Sequence, residues 1–282
     1  AQVCCLLAQV ILAQGIRVPP ADRRGESALV AFFRRAMAAA DSLPAEPRLT
    51  LVAGKSCAGK TTLSELLKAR RGFLHFDVDT WTRGGAYLEE TKWPTPEEFE
   101  QWKATRAPEL AAAVERLEAM TEAAKPGVPF PPDAVDDLLE MLCKEVLKVR
   151  GQHPDRDVVI SWCPFARAWR DKLRAGLGSD LECVILAVPD KLLEARQWDR
   201  LERFFVDKMG LTLDEWIEKS NKENGTSTTR EDLGKAWCGS SHLRHFDLAQ
   251  DGEPRTQGIT VTEELTPDDV LRRAEAALGL QR

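Results

Sequence analysis

Gly54-Lys55-Ser56-Cys57-Ala58-Gly59-Lys60-Thr61 carries glycine, glycine, lysine and a hydroxyl residue at the spacing G-x-x-x-x-G-K-[ST]. In a chain of 282 residues a match at every fixed position arises by chance about once in a hundred. No other feature constrains the fold as much, because such a loop works only where a strand feeds it and a helix leaves it. Arg48 to Ala53 is a short β-rich apolar run, and in Thr61 to Lys68 the residues Leu63, Leu66 and Leu67 form one helical stripe. The glycines let the backbone curl so that N–H groups point at phosphate oxygens, and the following helix adds about half a positive charge at its N-terminus. This reading assigns Gly54, Ser56, Cys57, Ala58, Gly59, Lys60, Thr61 and Thr62 to the phosphates of a nucleotide. Lys60 spans the β- and γ-phosphates, and the Thr61 hydroxyl is a ligand for Mg²⁺.

Four further apolar runs read as strands: Phe73 to Val78, Val158 to Trp162, Leu181 to Ala187, and Gly258 to Thr262. Helical patterns separate them, which predicts an α/β fold, a parallel sheet with helices on both faces. Residues 1–47 read as a helical N-terminal extension, with Ala28, Leu29, Phe32, Phe33 and Met37 at three-and-four spacing and Pro44 and Pro47 as breakers. Residues 48–282 form the main domain. Within it, 80–156 is long and helical enough to be an acceptor-covering insert. Residues 204–257 form a lid-like insert with a flexible polar run at Ser220 to Ser227, whose Asn224-Gly225-Thr226 reads as a turn. The last helix opens at Thr266-Pro267-Asp268-Asp269 and buries Val270, Leu271, Ala274, Ala277 and Leu278.

With 39 basic against 45 acidic side chains and a net charge of −6, nothing favours binding along a nucleic-acid backbone or an anionic membrane. Val3 to Ile16 is broken by Gln9 and Gln14, too short to span a bilayer of about 30 Å, and reads as a packed helix rather than a signal sequence. Seven cysteines without a C-x-x-C spacing argue against a disulfide framework and a four-ligand zinc site. A reducing compartment such as the cytoplasm follows from that usage. The sequence sets no oligomeric state.

Chemistry-bearing residues cluster after the second and fourth strands. Asp77 and Asp79 are two apart, so a strand would point both carboxylates beyond the sheet's carboxyl end, where open α/β folds bind ligands. One can help hold Mg²⁺ and the other can accept a proton. The blander reading makes Asp79 a cap and Asp77 a solvated strand end. No acidic residue follows the third strand, where Ser161-Trp162-Cys163-Pro164 stands. Arg196, Arg200 and Arg203 share one helical face, available to phosphoryl oxygens or, more simply, paired with Glu194, Asp199 and Glu202.

With the phosphate loop, Phe76-Asp77-Val78-Asp79-Thr80-Trp81 and Trp169-Arg170-Asp171-Lys172-Leu173-Arg174 resemble the P-loop kinases of small metabolites, the shikimate and gluconate kinase group related to nucleoside monophosphate kinases. The resemblance spans Arg48 to Leu280 and implies a three-layer P-loop domain with a five-stranded parallel sheet. It implies transfer of the ATP γ-phosphoryl group, assisted by Mg²⁺, to an oxygen of a small-molecule acceptor. On that analogy Asp77 is the metal-side residue, Asp79 the base or substrate anchor, and Arg196 and Arg200, ahead of Arg203, border the lid. Trp81 to Tyr87 departs from the gluconate kinase pattern, and the Gly-rich turn of shikimate kinases is missing after the third strand, so the acceptor stays open. A nucleoside or nucleoside monophosphate kinase, and a non-catalytic ATP-sensing module of a larger protein, are the alternatives.

Other residues carry weaker expectations. Arg83, Lys92 and Arg106 are cations for an anionic acceptor or surface charges. Trp81, Trp93 and Trp102 can stack on a ligand, though tryptophans in a helical insert are more often core. His242 and His245 read as structural or lid residues. Cys57, beside Lys60 and a helix N-terminus, is either an oxidisable thiol or a small residue that fits the loop.

Overall fold

Strand β1, Leu49–Gly54, is buried along its whole length because it lies at the centre of the sheet. The computed structural model describes residues 47–88, 92, 94–233 and 244–280. The helical extension expected at the N-terminus, Trp93 and His242 lie outside the described residues. The other strands are β2 Leu74–Asp77, β3 Val158–Trp162, β4 Glu182–Ala187 and β5 Thr256–Thr260. They lie in the order β2-β3-β1-β4-β5, and every pairing is parallel. This is the α/β, five-stranded parallel arrangement of the P-loop fold.

The period-two alternation of the strands divides the core between two faces. Leu49, Leu51 and Ala53 point to one side with Phe76, Ile160 and Ile185, and Val52, Val159, Val184 and Leu186 point to the other. Helix α1, Lys60–Arg71, covers the second face with Leu63 and Leu67, and Gly72 ends it in the left-handed conformation at φ 74°. On the first face lies the long helix α5, Asp136–Gln152, with Leu138, Leu142 and Val146 fully buried. Between them run α2 Val78–Trp81, α3 Pro96–Thr105 and α4 Pro108–Glu122. Thus within 80–156 the last helix is a layer of the core, while α3 and α4 are largely exposed.

Helix α6, Arg167–Leu177, also packs on the first face. Arg170, fully buried, donates to both Glu253 carboxylate oxygens through Nε and Nη2 at 2.8 and 2.9 Å, and Arg174 reaches the same carboxylate at 3.0 Å. The arginines of the Trp169-Arg170-Asp171-Lys172-Leu173-Arg174 stretch therefore clamp the segment before β5 to the core. Burial pushes the Glu253 carboxyl up, but hydrogen bonds and charge from Arg170 and Arg174 outweigh it and hold the pKa at about 2.

The carboxyl-terminal half adds α7 Asp190–Met209, α8 Leu213–Asn224, α9 Arg230–Leu233 and α10 Pro267–Ala277. Ser220 to Ser227 differs from the flexible run expected. Helix α8 continues through Asn224, Gly225 ends it at φ 63°, and the Asn221 amide ties down the turn by donating to Thr228 O and accepting from Thr228 N and Thr226 Oγ1. Capping chemistry at Thr212 and this Asn bridge order a stretch whose composition alone reads as loop. Strand β5 begins two residues before the run expected, because backbone pairing to β4 starts at Thr256 and Gln257, whose polar side chains give no apolar signal on an edge strand. Among the described residues no helix is long and apolar enough to cross a membrane.

Candidate active site

The loop from β1 into α1 turns twice through the left-handed region, at Cys57 (φ 62°) and Gly59 (φ 97°). Gly54 lies beneath it, where a Cβ would meet Ala58 Cβ at 3.0 Å and Leu186 O at 3.1 Å. No described side chain caps the start of α1 and its first turn holds no acidic residue, so its leading amides stay available to an anion. Lys60 Nζ donates to the Lys55 carbonyl at 2.9 Å.

A cavity of about 860 Å³ opens over this loop. Ser56, Cys57, Ala58, Gly59, Lys60, Thr61 and Thr62 line it, as do Asp77, Asp79, Arg196, Arg200 and Arg203. Of the loop residues expected at the phosphates, Gly54 alone does not reach its surface.

The two carboxylates arrive by a different route from the one expected. Strand β2 stops at Asp77, and α2 begins at the next residue. Asp77, not Asp79, is the cap: its Oδ1 accepts from Thr80 N at 2.8 Å. The period of two that would align them within a strand does not apply, and Asp79 instead enters the cavity from the first turn of α2. Asp77 is buried, not a solvated end, and its Oδ2 accepts from Ser161 Oγ at 2.8 Å and Thr61 Oγ1 at 3.3 Å. Asp79 is open to the cleft yet surrounded by protein. That enclosure raises its pKa above the ordinary carboxylate value, with Lys60 opposing and Asp77 adding to the shift.

Behind Asp77, His75 contacts Ser161 Oγ through Nε2 at 2.8 Å and Glu65 Oε1 through Nδ1 at 2.6 Å. Burial pushes the His75 imidazole down, against the pull of Glu65. For Glu65, burial is outweighed by its bonds to His75 and Lys68, and its pKa is lowered.

Arg196 reaches the loop itself, with Nη1 3.4 Å from Cys57 O and 3.5 Å from Ala58 O. Arg203 Nε bonds the Asp199 carbonyl one turn back, and Glu202 pairs with Arg230 rather than with the cavity arginines.

A second cavity of about 290 Å³ shares Ser56, Lys60, Asp79 and Arg200 with the first. Arg83, Arg244, Trp162, Cys163 and Phe165 contribute to its wall. Burial pushes the Cys163 thiol up to about 12, so it stays protonated. The other insert residues go elsewhere. Arg106 lies over Trp102 at 4.8 Å and pairs with Glu115 at 3.0 Å, Trp81 packs on Phe76, and Lys92 bridges to Ala86. His245 Nε2 meets Asp247 Oδ1 at 2.7 Å. Trp162 and Cys163 had a signal, the carboxyl end of a parallel strand. Arg244, His75 and Glu65 had none in the sequence.

Thr61 and Asp77 offer a hydroxyl and a carboxylate, hard oxygen donors of the kind Mg²⁺ takes, beside a loop shaped for phosphates. Among the described residues there is no cluster of three or more His, Cys, Asp or Glu side chains that would hold a metal by itself.

No family model and no curated protein matches the sequence. Solved structures do. A gluconokinase from Sinorhizobium meliloti is 18% identical over 83% of this chain and 93% of its own, with a TM-score of 0.42. A shikimate kinase from Bacteroides thetaiotaomicron is 15% identical over 82% and 98%, with a TM-score of 0.40. An APS kinase from Mycobacterium tuberculosis, in complex with AMPPNP and APS, is 12% identical over 84% and 99%, with a TM-score of 0.42. These three similar structures are kinases of small metabolites, at identities and scores that leave the site to be read from its own geometry.

Proposed function

We propose that this chain is a kinase that transfers the γ-phosphoryl group of ATP to a hydroxyl or other oxygen of a small metabolite. The observation that carries the reading is the pair of adjoining cavities that share Lys60, Asp79 and Arg200. One offers a phosphate cradle and the other a separate, smaller space, and the groups needed for transfer lie at their junction. The loop amides and Lys60 hold the triphosphate, and Thr61 and Asp77 are the side chains that hold Mg²⁺. When bound, that ion draws charge from the phosphate oxygens. Asp79, kept above the usual carboxylate range, accepts the acceptor's proton. Arg196 and Arg200 supply donors to oxygens on which charge builds. The chain's work is positioning and charge stabilisation, with no covalent enzyme intermediate.

The acceptor occupies the smaller cavity, where Arg83 and Arg244 suit an anionic group and Trp162 and Phe165 an apolar face. Trp81 and Trp102 line neither cavity, so the stacking slot that a nucleoside acceptor would find among the insert tryptophans has no support from these two. The test is calorimetry with ATP and Mg²⁺, followed by a thermal-shift screen of small metabolites with an ATP analogue. A kinase binds ATP, shows added stabilisation by one acceptor class, and phosphorylates that class. ATP binding without any phosphorylated product would favour the sensing module.

A further inference from the structure

We propose that Ser161 and His75 are positioning residues for the cation at Asp77: neither lines either of the two cavities described above, and both act through the Asp77 carboxylate. The inference rests on the reading of this site as one for a nucleoside triphosphate with Mg²⁺. It begins with two matched repeats. Thr61 and Glu65 are four residues apart on α1, about 6 Å along the helix and on one face. His75 and Asp77 are alternate residues of β2, about 6.6 Å apart and pointing the same way. Facing one another, these repeats bring Thr61 to Asp77 at 3.3 Å and Glu65 to His75 at 2.6 Å.

Ser161 closes the gap. It is the register partner of Asp77 on β3, and its Oγ lies 2.8 Å from both His75 Nε2 and Asp77 Oδ2. His75 is 0% exposed and Ser161 2%, so bulk water cannot replace either partner. The Glu65 carboxylate at Nδ1 selects the tautomer with its proton there, which leaves Nε2 as an acceptor toward Ser161. The hydroxyl then has one proton and two acceptors. It turns to Asp77 when that carboxylate needs a donor, and to His75 when a cation draws on the carboxylate, so a buried hydroxyl is satisfied in both states. Thr80 N, Ser161 and Thr61, from three separate elements, fix the plane of the carboxylate. Outer partners of this kind are worth about 10- to 100-fold in metal affinity.

The experiment is calorimetric titration of ATP into the full chain, once with chelator and once across a Mg²⁺ series. The quantity read is the gain in ATP affinity that Mg²⁺ confers. Ser161→Ala is expected to leave the Mg²⁺-free affinity within about twofold while cutting the Mg²⁺ gain about tenfold, and Ser161→Thr, which keeps the hydroxyl, to restore most of it. His75→Gln is expected to reduce the same gain by a smaller factor. If Ser161→Ala does not fold, Ser161→Cys, which preserves volume and weakens the donor, must show the selective loss. A wild-type Mg²⁺ gain in these variants, or equal losses with and without Mg²⁺, overturns the positioning role and leaves the kinase reading intact. A wild-type chain whose ATP uptake does not respond to Mg²⁺ overturns the reading of the site and this inference with it.

Discussion

Lys60 Nζ is hydrogen-bonded to the carbonyl of Lys55 at 2.9 Å, which holds the ammonium against the backbone of its own loop, within the large cavity. A lysine buried in this way has no role in the apolar core, since its head group sits among the loop residues and beside Asp79. Lys60→Ala is therefore expected to slow phosphoryl transfer by about 100-fold or more while shifting the unfolding midpoint by only a few degrees. Product formation and a thermal melt measured on the same preparation check this, and a loss of less than about fivefold would remove Lys60 from the transfer step.

Under the proposed function, Asp79 carries the pH dependence. A base must be ionised, and enclosure by protein raises this carboxyl above its ordinary range. Activity is therefore expected to fall as pH drops through that raised pKa, giving an acid limb of kcat/KM above the usual carboxylate region. Asp79→Asn should abolish product and keep ATP affinity within about threefold, because the proposed phosphate ligands are other groups. Rate profiles across pH and calorimetry with ATP separate the two effects.

The cavity arginines are not equivalent. Arg196 reaches the loop carbonyls of Cys57 and Ala58, whereas Arg203 bonds a carbonyl of its own helix. Arg196→Ala is expected to reduce kcat at least about tenfold and Arg203→Ala less than about threefold. Steady-state kinetics at saturating ATP decide it, and equal effects would argue against the distinction.

Glu253 predicts acid sensitivity of the fold rather than of catalysis. Its folded pKa of about 2 lies below the ordinary 4.5, so its contribution is present above pH 4.5 and is lost as pH falls from there toward 2. That contribution is about 3 kcal/mol. Glu253→Gln, which leaves Arg170 buried without a counter-charge, should destabilise by about 3 to 5 kcal/mol at neutral pH. Urea unfolding of both proteins at pH 7 and pH 3 should show the difference shrinking at the lower pH.

The sequence by itself determined the strands, the helix that leaves the phosphate loop and the glycine turn between them. Each is encoded by a handful of adjacent residues: a parallel strand buried on both faces is mostly apolar, and a cradle for phosphate must have glycine where a side chain would collide or the backbone must turn left-handed. The same local logic gathered Lys60, Thr61 and Arg196 as candidates, since they follow a motif or a helical face. The tertiary structure decided what Asp77 and Asp79 do, because a helix started at residue 78 and turned an assumed strand alternation into a cap and a cleft carboxylate. It alone joined Ser161 to Asp77 across 84 residues, Arg170 to Glu253 across 83, and Glu65 to His75 across the helix–sheet interface. Those pairs arise from strand register and helix packing, and a buried polar group's partner is fixed by which backbones come within about 3 Å of it, a distance that spacing along the chain does not encode.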